Sequence, residues 1–282
     1  MNNILQVAEN IAHIQSGMEM LNQDSQFTKI ENWLDAPNPS TNFNKAIAER
    51  HEGTGSWFLQ SKPFKEWKSG TRRYLWLYGI PGCGKTVLCS TIIEYLCQNQ
   101  DSPHVVLDFF FDFRDPKKQS LENLVRSFII QLYSRCENSR KELDTLFSQS
   151  ENGRRQPTTE SLVTTFQHMM NHAKEIQIVI DALDECRTRK GLLLWMEQFS
   201  SSKDTNFQLL ATSRAEEDIK SELKLWLHQD NFVSIQQDPV NSDIRVYVNK
   251  RLRDGHEFER WRSASSVLDE IETELMKRAD GM

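Results

Sequence analysis

The 282-residue chain is 38% hydrophobic, 10% aromatic and 26% charged, which supplies core for one large domain or a main domain with smaller attachments. Its net charge of −6 argues against non-specific nucleic-acid binding, which needs a basic surface. No window holds about 18 uncharged apolar residues, so no membrane span is expected.

Met1-Asn2-Asn3-Ile4 lacks the basic and apolar regions of a signal peptide. Cys83, Cys89, Cys97, Cys136 and Cys186 form neither a C-x-x-C pair nor a metal spacing. Free thiols in a reducing compartment, and hence a cytoplasmic protein, are the expectation.

In chain order, Ile4, Ala8, Ile11, Ile14, Met18 and Leu21 recur at spacings of three and four. They predict an amphipathic helix over 4–22, a packing or partner face with no chemistry attached. A shorter helix is expected over 27–34. Asp35 to Asn42 is dense in turn formers and reads as a loop or linker, and 43–52 is weakly helical. Gly53-Thr54-Gly55-Ser56 breaks that pattern before an aromatic cluster at Trp57, Phe58, Phe64 and Trp67.

Tyr74–Tyr78 then reads as a short buried strand, and 87–97 as a helix. A strand is predicted over 105–111, opened by Pro103-His104. A helix over 121–135 follows, N-capped by Ser120, with Leu121, Leu124, Val125, Phe128 and Leu132 on one stripe. The polar stretch 148–157 is expected to be a loop, after which Thr158 or Thr159 caps a helix to about residue 174. Strands over 176–181, 207–212 and 232–235 alternate with helices near 191–199 and 216–227. Beyond Pro239 only helices are expected, over 241–253 and from about 264 onward. This alternation implies an α/β fold with a mostly parallel sheet covered on both faces.

The strand-to-helix step at 79–86 carries the chemistry. Gly79-Ile80-Pro81-Gly82-Cys83-Gly84-Lys85-Thr86 meets every constrained position of the G-x-x-x-x-G-K-[ST] phosphate loop. The glycines permit dihedrals and close approach that a Cβ would block, so the loop N–H groups can cradle phosphates at a helix N-terminus. Lys85 is expected to reach the β- and γ-phosphates, the Thr86 hydroxyl to bind Mg²⁺, and Val87 to complete the contact with the nucleotide. The upstream aromatic cluster is either ordinary core or a wall beside the nucleotide base.

Ile178-Val179-Ile180 delivers Asp181 to the end of a central strand, where open α/β sheets place their ligands. Asp181 is therefore the second expected Mg²⁺ residue. Many ATPases carry their water-activating glutamate directly after this aspartate. Ala182 stands there instead, and carboxylates return at Asp184 and Glu185, which either handle water or cap the next helix. Arg214 follows the strand Leu209-Leu210-Ala211-Thr212 and is expected either to sense a γ-phosphate or to make a surface ion pair.

With these parts in order, the chain resembles the NACHT family of STAND signalling NTPases, in the nephrocystin-3-like form found in fungal NLR-type and heterokaryon-incompatibility proteins. The resemblance rests on Trp57-Phe58-Leu59, Phe64-Lys65-Glu66-Trp67, Leu75 to Thr86 and Phe109-Phe110-Phe111-Asp112-Phe113. It extends through Ile180-Asp181-Ala182-Leu183-Asp184-Glu185-Cys186, Ala211-Thr212-Ser213-Arg214, and Asp243-Ile244 with Tyr247-Val248. It implies a P-loop NTPase domain of three α/β/α layers and a switch that exchanges ADP for ATP and oligomerises.

The expected organisation is a helical or linker segment over 1–52, the nucleotide domain over 53–238, and a partial small helical domain over 239–282. On this reading the chain is a fragment or a short adaptor, with self-association or larger NLR-like proteins as partners. The ligands are ATP or ADP, with GTP possible because no N-K-x-D guanine code is visible, together with Mg²⁺. Slow NTP hydrolysis is expected. A turnover kinase or motor ATPase and a non-hydrolysing interaction module are the competing readings.

Overall fold

Five short apolar segments become five parallel strands in the computed structural model, which describes residues 24–99, 104–201, 207–235, 237–254 and 265–279. The helix predicted over 4–22, the Pro103 strand opening and the last three residues lie outside the described residues.

The N-terminal part is helical: α1 over 24–34, α2 Ser40–Glu49, α3 Ser56–Leu59 and α4 Lys62–Lys68. The α/β body follows as β1 Tyr74–Tyr78, α5 Lys85–Gln98, β2 His104–Phe110, α6 Leu121–Arg135, α7 Arg140–Gln149 and α8 Thr159–Met170. It continues as β3 Glu175–Asp181, α9 Arg189–Ser201, β4 Phe207–Ser213, α10 Glu217–Leu223 and β5 Phe232–Ser234. Helices α11 Gln237–Asp254 and α12 Ser265–Ala279 close the described chain.

The strand order is β2-β3-β4-β1-β5, so β4 is inserted between the loop-bearing strand β1 and the Asp181 strand β3. Alternation along each strand divides the core in two. Trp76, Leu107, Phe109, Ile178, Ile180 and Leu209 face one side, together with α6, α8 and α9. Leu75, Leu77, Val106, Phe110, Val179 and Leu210 face the other, together with α5. Strands covered on both faces must be apolar at consecutive positions, which explains runs such as Ile178-Val179-Ile180 and Val105-Val106-Leu107. Each fully buried Leu, Ile or Phe contributes roughly 1.5–3 kcal/mol.

Several predicted boundaries are met by observed caps. Ser120 accepts from the Asn123 N–H at 3.2 Å, and Thr158, rather than Thr159, accepts from the Ser161 N–H at 3.2 Å. The linker is shorter than expected, because α2 already starts at Ser40. Helix α7 has no counterpart among the predicted elements. Its buried face is only Leu143, Leu146 and Phe147 in an otherwise polar segment, and it forms by packing on α8.

The outer edge of β2 is closed by side chains. Gln131 of α6 exchanges two hydrogen bonds with the Asp108 backbone, at 3.1 and 2.8 Å, and Arg135 donates to the Val106 carbonyl. An edge whose backbone groups are already paired cannot template another strand.

Candidate functional site

The loop after β1 turns into α5 through Gly84, whose φ of +79° makes it a left-handed N-cap that any larger residue would strain. Gly79 is required for a different reason: a Cβ there would lie 2.6 Å from the Cys83 Sγ. With the loop so folded, the Lys85 ammonium returns over it and donates to the carbonyls of Gly79 (2.9 Å) and Ile80 (2.7 Å). Cys83 is buried under the loop, and Ile80 stands exposed on top of it.

Asp181 ends β3 beside the start of α5 and is 2% exposed. Its Oδ1 accepts from the Thr212 hydroxyl at 2.5 Å, and that same hydroxyl oxygen accepts the Ala182 N–H at 3.1 Å. The Thr86 hydroxyl and the Cys89 thiol also lie close enough to act on this carboxylate. Burial raises the Asp181 pKa, and these donors with the Lys85 charge oppose the rise. Thus Lys85, Thr86 and Asp181, expected to act together, do meet. Among the described residues no cluster of three or more metal-type side chains occurs. A hydroxyl and a carboxylate are nonetheless the two oxygen donors that suit Mg²⁺, which keeps waters and phosphate oxygens for its other positions.

The chain then makes a strained turn. Ala182 sits at φ +58°, ψ +54°, left-handed for a residue with a Cβ, and starts the 3₁₀ turn Leu183–Glu185. This turn separates the roles of the next two carboxylates. Asp184, its side chain 4% exposed, accepts from the Arg214 N–H at 3.0 Å and from Arg214 Nε at 3.1 Å. Glu185 Oε2 accepts the Phe113 N–H at 2.9 Å, and burial, with Asp184, Asp112 and Asp181 nearby, pushes its pKa up. Arg214 is therefore held at the sheet edge by Asp184, although its side chain is 48% exposed. These three residues line a polar cleft of about 360 Å³ that contains no residue of the phosphate loop.

A second hollow, of about 440 Å³, borders the loop itself. Gly82, Cys83, Gly84 and Val87 form its floor, with Trp57, Ile235 and Tyr247 among its walls. The two readings of the aromatic cluster separate here. Phe58, Phe64 and Trp67 are fully buried core, whereas Trp57 is half-buried on the hollow. Asp243 of α11 accepts the Gly55 N–H at 2.9 Å, and the Trp57 indole lies near the same carboxylate. That contact ties the C-terminal helices to the wall of the hollow.

Sequence reasoning missed Thr212 as the partner of Asp181, and it missed Gln119. The Gln119 amide donates to the carbonyls of Asp112 (3.1 Å) and Phe113 (2.7 Å) and so shapes the Glu185 side of the cleft. In the sequence Thr212 stands at the end of an apolar strand and within the Ala211-Thr212-Ser213-Arg214 string, and neither pattern names Asp181 as its partner. Gln119 carried no signal, because its role depends on a loop returning from β2.

The family model described as "Nephrocystin 3, N-terminal" matches residues 53–214. The chain is 24% identical over 203 residues to "Vegetative incompatibility protein HET-E-1" of Podospora anserina. That alignment covers 70% of this chain and 15% of the relative, so the chain spans a small part of the relative's length.

Proposed function

The chain belongs to the nephrocystin 3 N-terminal family and is NACHT-like, and from that membership we propose that it is a nucleoside-triphosphate-binding signalling switch with slow Mg²⁺-dependent hydrolysis. The observation that carries the reading is the convergence of Lys85, Thr86 and Asp181 at the N-terminus of α5. The backbone of Gly79 to Thr86 takes the phosphates, and Lys85 exchanges its two loop carbonyls for phosphate oxygens. The base and ribose of ATP, ADP or GTP enter the 440 Å³ hollow beside Val87 and Trp57.

Thr86 and Asp181 hold Mg²⁺, which, when bound, neutralises charge on the phosphates. Asp184 positions Arg214 toward the γ-phosphate side, and Glu185, one of whose oxygens accepts no hydrogen bond among the described residues, orients the attacking water. Nucleotide state reaches the helical end through Asp243 and α11, which border the same hollow. The switch acts in incompatibility-type or innate-immune signalling, by self-association or with larger NLR-like proteins.

A titration of the chain with fluorescent ATP and GTP analogues in Mg²⁺ tests this reading. Saturable binding abolished by Lys85→Ala is expected, and unchanged binding by that variant would remove the assignment. One observation favours a second reading, a non-hydrolysing module: Asp184 is occupied by Arg214 and Ala182 follows Asp181, leaving a single carboxylate for water. Nucleotide binding with no measurable phosphate release from the unaltered chain would favour it.

A further inference from the structure

Asp108 lies in the middle of β2 with its side chain on the α5 face, the parity shared by Val106 and Phe110. It is 6% exposed. Its backbone is fully paired by Gln131, yet among the described residues its carboxylate accepts no hydrogen bond. The nearest cation is Arg135, whose Nη2 makes a long ion pair with Oδ1 at 4.0 Å while its Nη1 donates to the Val106 carbonyl and Gln131. Lys118, the other cation felt here, donates to Thr41 and Asn42. A carboxylate buried this way loses hydration without recovering it from donors, which ordinarily costs several kcal/mol.

The same carboxylate borders an open hollow of about 580 Å³ between α1, the 35–39 loop, α2, α5 and α6. That is the size of a small-molecule site. Phe27, Pro39, Phe43, Ile93 and Ile130 give it apolar walls, and Glu31 and Glu94 are also among its lining residues. No residue of the phosphate loop lines it. Cys97, also on the wall, has its thiol pKa raised by burial, opposed by Arg135 and reinforced by the Asp108 charge. Arg135 lines the hollow too, but its ion pair with Asp108 is long and leaves the carboxylate without a hydrogen-bond donor among the described residues, so a largely apolar hollow with this anion suits an apolar body with one positive donor.

We propose that this cavity is a second ligand site, separate from the nucleotide site, and that it takes a primary alkylammonium, with the ammonium on Asp108 and the alkyl stem against Phe43, Ile93 and Ile130. An ammonium offers three N–H donors and full counter-charge, which a neutral alcohol does not. The site is independent of the nucleotide reading.

The test is calorimetric titration of the full chain with n-hexylamine hydrochloride at pH 7.5, beside 1-hexanol, Asp108→Asn, Ile130→Trp and Lys85→Ala. Expected is a single site with a Kd below about 1 mM. Asp108→Asn, which keeps the shape and removes the charge, should weaken it at least about 30-fold, and hexanol should bind more weakly than hexylammonium by a similar factor. Ile130→Trp, which fills the chamber, should abolish binding, and Lys85→Ala should leave it unchanged. Absence of binding to the unaltered chain, or equal binding by Asp108→Asn or by hexanol, would overturn the proposal. Because Asp108→Asn relieves a buried charge, it remains folded and interpretable even if Ile130→Trp does not.

Discussion

Asp184 grips Arg214 at two points, one carboxylate oxygen on the backbone N–H at 3.0 Å and the other on Nε at 3.1 Å. The carboxylate is almost fully enclosed, whereas the guanidinium is half open to solvent. The pair is therefore a mount that aims a cation outward from the sheet edge, and only modestly a source of stability.

That geometry predicts a coupled pair. Asp184→Ala and Arg214→Ala should each lower steady-state phosphate release by about tenfold or more, and the double variant should be little worse than either. Unfolding free energy should fall by only about 1 kcal/mol, since one partner is exposed. Additive losses in a turnover cycle would show that the two residues act separately.

Lys85→Ala should weaken nucleotide binding at least 100-fold, equivalent to about 3 kcal/mol. The folded state should tolerate the change, because the ammonium bonds within its own loop, to the carbonyls of Gly79 and Ile80 and to the Cys83 sulfur. Thermal unfolding without nucleotide should shift little. With nucleotide and Mg²⁺, the rise in Tm of the unaltered chain should be absent from the variant.

Ala182 stores strain at its left-handed φ of +58°. Glycine adopts that conformation freely, so Ala182→Gly should stabilise the chain by about 0.5–1 kcal/mol in urea titration, net of the greater entropy of an unfolded glycine. Ala182→Val should destabilise it by about 1–2 kcal/mol, since a β-branched residue resists the left-handed region. Equal stability of all three would show that the turn relaxes.

Asp108 makes stability depend on pH. Burial raises its pKa from the ordinary 3.8 to about 6, so between these values the folded chain binds more protons than the unfolded chain. Stability from this group is thus highest below about pH 4 and falls as pH rises to about 6. The full cost, roughly 3 kcal/mol by linkage, is present above that. Asp108→Asn should remove this slope and be the more stable protein at pH 7.5, measured by urea midpoints across pH 4 to 8.

The parts of this protein that local spacing determines were legible in the chain itself. A strand covered on both faces needs an apolar run, and a glycine loop before a helix needs Gly84 where φ is positive; both patterns occupy contiguous residues. Ser120 and Thr158 likewise announce their helices, because a cap acts over three residues. Phosphate loop, Asp181, Asp184–Glu185 and Arg214 could be named from such runs.

What each of those residues touches was decided by the tertiary structure. Helix α7 exists because Leu143, Leu146 and Phe147 find the main core, a gain that short polar sequence does not display. Thr212 meets Asp181 across two strands, Gln119 reaches the Phe113 loop, and Asp243 bonds to Gly55 from 188 residues away. Asp184 and Glu185 are adjacent in sequence, yet the left-handed turn at Ala182 gives one to Arg214 and the other to the Phe113 N–H. Asp108 reads as one polar residue in an apolar strand, and only the closed β2 edge and the chamber beside it make its charge consequential. Burial and pairing are properties of the assembled layers, so residue type and spacing fix which groups are available, and packing fixes which of them remain unsatisfied.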